Sequence, residues 1–133
     1  MSKDQLIDFA ERYTAAWCSQ DATRVATFYS ADGSLSVNDG APAVGRSAIA
    51  DEVQSFMTAF PDMRVILDEV TIRGERPHYH WTLIGTNTGP GGTGHAVRIS
   101  GFESWRFGND GLIVESQGQF DAAEYRRQLE AGN

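Results

Sequence analysis

Apolar residues follow a helical spacing over the first part of the chain. The first helical stripe consists of Leu6, Phe9, Tyr13 and Trp17. Because Ser2 and Gln5 have the spacing of a capping box, we predict a helix from Ser2 to about Ser19. Asp21 is of the residue type that caps helices, and it predicts a second, short helix behind it. A third apolar stripe at helical spacing ends before Pro61.

The second part of the chain changes to a strand-like alternation. Four strands are predicted there, at Met63–Arg73, His78–Thr86, Ala96–Phe107 and Leu112–Phe120. Asp110-Gly111 lies between the last two strands, and such pairs favour tight hairpin turns because they tolerate positive φ. An earlier strand, Ser34–Val37, is predicted after a turn at Asp32-Gly33. A last helix is predicted to follow Asp121.

This order of elements indicates the fold class. Helices that precede a run of antiparallel strands are typical of an α+β protein. At 133 residues the chain is long enough for one domain with a substantial core, so a single domain over residues 1–133 is predicted. A curved antiparallel sheet wrapped around the N-terminal helices would form a cone with an apolar interior.

Composition excludes several classes of partner. The formal net charge is −7, and no basic cluster larger than Arg126-Arg127 is present. Nucleic acids and anionic membranes bind proteins through lysine and arginine, so neither is expected as a partner. Cys18 is the single cysteine, which fits a reducing compartment. Because no apolar signal segment follows Met1, a cytoplasmic protein is predicted.

The segment from Gly85 to Asp121 resembles the SnoaL-like polyketide cyclases, members of the nuclear transport factor 2 and ketosteroid isomerase superfamily. The resemblance depends on Gly85–Pro90, the strand ending in Trp105-Arg106-Phe107, the Asp110-Gly111 turn with Ile113-Val114-Glu115, and Phe120-Asp121. It implies the cone-shaped fold, an α+β roll like that of nuclear transport factor 2 and cystatin. It also implies homodimerisation through the convex face of the sheet.

The resemblance implies an oxyanion-binding pair. Tyr13 occupies the position of the tyrosine that binds the oxyanion in ketosteroid isomerases, and Glu103 occupies that of the protonated carboxylic acid. The position of the general base falls on Ser36 or Val37, and neither residue can serve as that base. In cyclases and in relatives similar to limonene epoxide hydrolase, a catalytic aspartate lies where this chain has Gly118. The epoxide hydrolases also need an Arg-x-Asp pattern that this chain lacks, so epoxide hydrolysis is not expected.

Two residues could replace the missing base, Asp39 and His80. Asp39 follows Val37 by two positions, so its side chain would share the face of Val37 if the strand continued. The alternative is that Asp39 is a solvated loop acid. His80 could act in the pocket as an acid, a base or a hydrogen-bond donor, or it could lie at the surface. His78 and His80 form too weak a pattern for a metal site, so neither a metal nor another cofactor is predicted.

The strand alternation gives Glu103 an independent interpretation. The inner face of the predicted strand Ala96–Phe107 should hold Ile99, Gly101, Glu103 and Trp105. Burial on that face would raise the pKa of Glu103 and leave an acid that can donate a hydrogen bond. The alternative is an ordinary strand carboxylate paired with a nearby arginine. The aromatic residues expected to line a ligand cavity are Trp17, Phe28, Phe56, Trp81 and Trp105.

These observations predict a domain that binds a small, apolar carbonyl or aromatic compound. Tyr13 and Glu103 would hydrogen-bond the ligand oxygen, and proton transfer next to a carbonyl would be the reaction of an active enzyme, as isomerase or cyclase. The losses at Gly118 and at Ser36 or Val37 favour an alternative, a non-catalytic module for ligand binding or dimerisation. A third interpretation, a purely structural packing unit, predicts no accessible cavity.

Overall fold

The structure, a computed structural model, describes residues 1–133. The helices are α1 (Lys3–Trp17), α2 (Ala22–Ala26), α3 (Arg46–Ala59) and α4 (Ala122–Ala131). The strands are β1 (Tyr29–Val37), β2 (Ala43–Val44), β3 (Arg64–Arg73), β4 (Arg76–Thr86), β5 (Ala96–Phe107) and β6 (Ile113–Phe120). None of the helices combines the length and the apolar character that crossing a bilayer requires.

Three of the four helices begin where the capping residues predict. At α1, Gln5 N–H donates to Ser2 Oγ at 3.1 Å, and Ser2 N–H donates to Gln5 Oε1 at 2.8 Å. This is the reciprocal capping box, which satisfies backbone donors that have no partner inside the helix. Asp21 and Asp121 accept backbone N–H groups in the same way at the starts of α2 and α4.

The prediction of a turn at Asp32-Gly33 is wrong. Strand β1 begins at Tyr29 and runs through both residues, with a register shift against β6 between Tyr29 and Ser34. A β-bulge of this kind absorbs extra residues without ending the strand. Gly33 allows a close approach there, because a Cβ at this position would lie 2.8 Å from Ile113 O. The turn residues therefore mark an irregular strand and not its start.

The six strands form one curved, unclosed sheet in the order β2-β1-β6-β5-β4-β3. All neighbouring strands are antiparallel except β1 and β6, which are parallel. Mixed sheets of this kind fit a chain whose first strand is separated from the others by a helix. The predicted α+β fold, with a curved sheet wrapped around helices, is confirmed.

Helix α1 fills much of the interior of the sheet. Phe9 and Tyr13 pack edge-to-face against Trp105 of β5, with ring centroids 5.5 and 5.2 Å apart. The three aromatic side chains belong to one hydrophobic core of 21 buried residues. Edge-to-face packing is the preferred arrangement of aromatic pairs, so these contacts fix the helix against the sheet. The remaining space inside the sheet lies beyond the C-terminal end of α1.

Candidate functional site: a buried carboxyl in an apolar cavity

A cavity opens between the C-terminal end of α1, helix α3 and the inner face of the sheet. Its volume is about 60 Å³ when measured as the space open to the centre of a water molecule, and about 560 Å³ when all the space up to its opening to solvent is counted. The lining residues are Trp17, Leu35, Val37, Phe56, Val65, Tyr79, Trp81, Leu83, Glu103, Gly118 and Phe120. Nine of these eleven are hydrophobic, which is typical of a site for a small organic ligand. The structure therefore does not support the packing-unit interpretation.

Glu103 carries the carboxyl group on this apolar wall. Alternation along β5 directs it inward, as the sequence predicts, and the residue is only 6 % exposed. Its backbone is paired with Tyr79 on β4 and with Gly118 on β6, and both of these residues also line the cavity. The carboxyl group is therefore at the centre of the inner face, held by regular strands on both sides.

The two oxygens of Glu103 have different surroundings. Oε1 accepts hydrogen bonds from Ser116 Oγ at 2.7 Å, Tyr13 OH at 2.8 Å, Trp105 Nε1 at 3.0 Å and, at a longer 3.5 Å, Tyr29 OH. Oε2 has no hydrogen-bond partner within the protein. Trp17 Nε1 is the one fully enclosed side-chain nitrogen or oxygen that lacks a partner, so Oε2 is not sealed inside the protein. Because Glu103 lines the cavity, Oε2 is the oxygen available to a ligand.

Burial shifts the protonation of this group. Removal from water raises the pKa of Glu103, and the hydrogen bonds from Trp105, Ser116, Tyr13 and Tyr29 oppose that shift only in part. Burial, with the charge of Glu103 as a further cause, also raises the pKa values of Tyr13 and Tyr29 well above the ordinary value, so both remain donors. Since Oε1 is occupied by donors, the proton of the neutral acid belongs on Oε2. The site can thus present one O–H donor to an apolar cavity.

The structure brings four of the predicted site residues to the cavity wall. They are Trp17, Phe56, Trp81 and Glu103. Trp105 is fully buried behind the wall, and it acts on the site by donating its indole N–H to Glu103. Phe28 packs against Phe9 at 5.3 Å and does not line the cavity, so its assignment to the wall is wrong.

Tyr13 lies behind Glu103 and does not face the ligand space. It is fully buried, it is absent from the cavity wall, and its hydroxyl donates to Oε1. The expected pair of donors converging on a ligand oxygen is therefore not present as predicted. Tyr13 positions the carboxyl group instead, because its phenol fixes the oxygen that turns away from the cavity.

Neither proposed replacement for the base reaches the cavity. Strand β1 ends at Val37, and Asn38 and Asp39 both have positive φ, so the alternation that would have directed Asp39 inward stops. Asp39 is exposed and accepts a hydrogen bond from Gln119 Nε2 at 2.9 Å. His80 points to the opposite face of β4 from Tyr79 and Trp81. Placing either residue in the pocket was wrong.

His80 instead belongs to a group on the outer face of the sheet. Its Nε2 lies 2.9 Å from Thr71 Oγ1, and His78 stacks on Phe102 with ring centroids 4.9 Å apart. No group of three or more His, Cys, Asp or Glu residues is arranged to hold a metal ion.

Two residues of the Glu103 hydrogen-bond network were missed by the sequence interpretation. Tyr29 opens β1 and turns its hydroxyl toward Tyr13, 2.9 Å away. Ser116 lies two positions before Gly118 on β6, so strand alternation would have placed it on the same inner face. Its short polar side chain gave no sign of a partner so deep in the core.

The sequence profile of the SnoaL-like polyketide cyclase family matches residues 7–129. The chain belongs to this family. No curated protein is significantly similar in sequence. Solved structures show the fold of this SnoaL-like domain at low sequence identity, in each case over most of both chains.

Three solved structures illustrate the range of proteins with this fold. TsrD from Streptomyces laurentii has 16% identity and a TM-score of 0.82, covering 98% of each chain. A protein with a ketosteroid isomerase-like fold from Catenulispora acidiphila, in complex with trimethylamine, has 16% identity and a TM-score of 0.78 over 91% of each chain. A phenazine biosynthesis-related protein from Pseudomonas aeruginosa has 16% identity and a TM-score of 0.73, covering all of this chain and 88% of that one. At these identities the likeness establishes the fold and not the activity.

Proposed function

We propose that this SnoaL-like domain binds a small, largely apolar carbonyl compound in its cavity and that Glu103 Oε2–H donates a hydrogen bond to the carbonyl oxygen. The observation that carries the proposal is the asymmetry of the Glu103 carboxyl. Four donors hold Oε1, whereas Oε2 has no protein partner. A single polar group on an apolar wall orients a ligand, because the rest of the ligand gains its free energy from burial.

The reaction class that fits this site is proton transfer next to the carbonyl group. Burial moves the pKa of Tyr79 far above the ordinary range, so Glu103 is the one group on the cavity wall suited to exchange protons. The neutral acid is the form that holds the ketone, and the reaction would start from the fraction of protein in which Glu103 is ionised. There Oε2 would take a proton from the carbon beside the carbonyl, and the Oε2–H group so formed would donate its hydrogen bond to the enolate oxygen. The C–H electron pair would become the enolate, and the same proton would return to a carbon of the ligand. A raised carboxyl pKa favours this role.

A second candidate ligand is a small alkylammonium ion. Five aromatic side chains and one carboxyl line the cavity, namely Trp17, Phe56, Tyr79, Trp81 and Phe120 with Glu103. Aromatic faces attract cations, and an ionised Glu103 would supply the counter-charge. The Catenulispora protein of similar fold was solved with trimethylamine. In this case the neutral acid would give its Oε2 proton to the amine and form an ion pair.

The pH dependence of binding distinguishes the two ligand classes. A ketone needs Glu103 protonated, so its affinity should fall as pH rises through the raised pKa of Glu103. An ammonium ion needs Glu103 ionised, so its affinity should rise over the same interval until the amine itself loses its proton. Calorimetric titrations of cyclohexanone and of trimethylamine between pH 5 and 9 measure both trends.

Glu103→Gln and Glu103→Leu separate binding from proton transfer. Glutamine can keep the contacts to Oε1 and place an N–H₂ group toward the cavity, so Glu103→Gln should bind ketones without the pH dependence. Glu103→Leu should lose ketone binding. Asp39→Asn is the matched control, because it neutralises an exposed carboxyl that does not reach the cavity. Unchanged ketone affinity in Glu103→Leu would refute the proposed anchor.

Hydrogen–deuterium exchange at the carbon next to the ketone reports the reaction directly. Wild-type protein in D₂O should exchange this position catalytically, and Glu103→Gln should not, since an amide cannot accept the proton. Exchange no faster than in buffer, together with intact binding, would identify the domain as a non-catalytic binding module.

A further inference from the structure

The inner face of the sheet has a gap beside Glu103. Four paired positions form a row across the strands, in the order Val37, Gly118, Glu103 and Tyr79. All four residues line the cavity. Gly118 alone has no side chain, so the row is interrupted directly next to the carboxyl group.

The backbone does not require glycine at position 118. Its φ lies outside the left-handed region. A Cβ built there would lie 3.3 Å from Ser36 O and 3.9 Å from Glu103 Cγ, so alanine would need only a small adjustment. Gly101 of β5 is different, because a Cβ there would overlap Gln119 O and would approach Trp81 Cζ2 to 2.7 Å.

Glycine inside a strand weakens it, since glycine loses more conformational freedom on folding and has no side chain to pack. Close packing explains why position 101 is glycine despite this destabilisation, because no side chain fits there. At Gly118 a methyl group nearly fits, and the residue faces the cavity. The space that the missing side chain leaves is therefore available to a ligand.

We propose that Gly118 is a specificity-determining residue, whose missing side chain forms a subsite for a substituent on the carbon next to the ligand oxygen. The orientation of the ligand in this inference rests on the proposed function, whereas the subsite itself follows from the cavity. When the carbonyl oxygen of the ligand accepts the hydrogen bond from Glu103 Oε2, the carbon next to the carbonyl lies over position 118, because residues 103 and 118 are directly paired. The subsite favours compounds that carry a substituent at that carbon.

Two isomeric ketones test this assignment. 2-Methylcyclohexanone places its methyl group beside the carbonyl, and 4-methylcyclohexanone places the same group far from it. Gly118→Ala should weaken binding of the 2-methyl isomer about tenfold relative to the 4-methyl isomer, the usual effect of one methyl group in an apolar pocket. Val37→Ala removes side-chain volume from the neighbouring position of the row, so the double variant should recover binding of the 2-methyl isomer. Circular dichroism confirms that each variant is folded.

An unchanged preference between the isomers in Gly118→Ala would overturn the proposal. Failure of the proposed function gives a different pattern. If Glu103→Leu leaves affinity unaltered while Gly118→Ala still selects against bulk, the subsite stands and the anchor does not.

Xenon supplies a measurement that needs no ketone binding. Xenon occupies dry apolar cavities, so crystals under xenon pressure should show a site beside residue 118 in the wild type. Gly118→Ala should lose that site, and equal occupancy in both proteins would contradict the inference.

Discussion

The carboxyl group of Glu103 is buried together with four donors, and its protonation is therefore linked to folding. Because the pKa of Glu103 is raised in the folded protein, the native state binds this proton more tightly than the unfolded chain does. The stabilising contribution is complete below the unfolded value of about 4.3 and is lost as pH rises through the folded pKa. We expect the free energy of unfolding to fall over this interval in the wild type but much less in Glu103→Gln. Urea denaturation from pH 4.5 to 8 measures the difference.

Comparing the wild type with Glu103→Gln cancels the pH dependence of stability that comes from groups present in both proteins. His78 also has a shifted pKa, lowered mainly by burial, but it lies on the outer face and is common to both proteins. Asp39→Asn provides the control for loss of one negative charge at an exposed site. Parallel stability curves for the wild type and Glu103→Gln would show that the buried carboxyl does not carry the pH dependence.

The two tyrosines of the network should contribute unequally to stability. Tyr13 OH donates to Oε1 at 2.8 Å, whereas Tyr29 OH lies at 3.5 Å from the same oxygen. Tyr13→Phe removes the shorter bond from a buried acid and should cost about 1–3 kcal/mol of unfolding free energy. Tyr29→Phe should cost less, because Tyr13 still donates to Glu103. Chemical denaturation of the two variants tests the order, and an equal or larger loss in Tyr29→Phe would reverse the assignment of the positioning residue.

Sequence patterns identified the buried acid but not the geometry around it. Alternation on β5 places Glu103 inward whatever the rest of the fold does. The base position required knowing where β1 ends, and the positive φ values of Asn38 and Asp39 that end it follow from contacts with β6, such as Phe120 N–H donating to Asn38 Oδ1. Contacts between distant segments of this kind leave no local signal. The expectation that Tyr13 faces the ligand came from the family resemblance, and the bond from its hydroxyl to Glu103 Oε1 is again a contact between distant segments.

Helices and strands were predicted more completely than their connections. Strand β5 has the predicted bounds, and the capping residues mark three of the helix starts. Helix α3 is the exception, since it begins at Arg46 after Gly45, which caps it with no side chain and a φ of 88°. The parallel pairing of β1 with β6 was not predicted, because it joins segments from opposite ends of the chain.

The loop after β4 is hydrogen-bonded to the end of α3, and substitutions at Gly89 and Gly74 test how much this attachment contributes to stability. Asn87 Nδ2–H and Gly89 N–H both donate to Ala59 O, which would otherwise have no helical partner. A Cβ at Gly89 would overlap Thr58 O, so Gly89→Ala should destabilise the protein by more than about 2 kcal/mol. Gly74 has a φ of 63° and open space around it, so Gly74→Ala should cost only about 1 kcal/mol. Thermal unfolding compares the two, and similar losses would mean that the loop can move away from α3.

Strand alternation gives the sheet two different faces, an inner face that forms the core and the ligand cavity and an outer face with its own aromatic residues. Along β5, Glu103 and Trp105 face the ligand space and the core, whereas Phe102 between Gly101 and Glu103 faces outward. On β4, Tyr79 and Trp81 face inward and the two histidines face outward. We define the outer aromatic group as His78, His80 and Phe102, and each of its members is only half-buried in the single chain. Aromatic residues in this state are enriched at contacts between proteins.

A second copy of the chain is the partner we expect on the outer aromatic group. In an isologous contact the outer aromatic group would stack on the same group of the second copy, which buries the same apolar surface on both copies. Phe102→Glu introduces charges that would face each other across such a contact, so it should shift the protein to a monomer in sedimentation velocity experiments. Val44→Glu is the matched control, because Val44 is a 62 % exposed apolar residue on β2, at the other edge of the sheet. Because the cavity opens on the opposite face, the Phe102→Glu monomer should still bind ketones. A wild type that sediments as a monomer, or a Phe102→Glu variant that remains dimeric, would exclude this surface as the dimer contact.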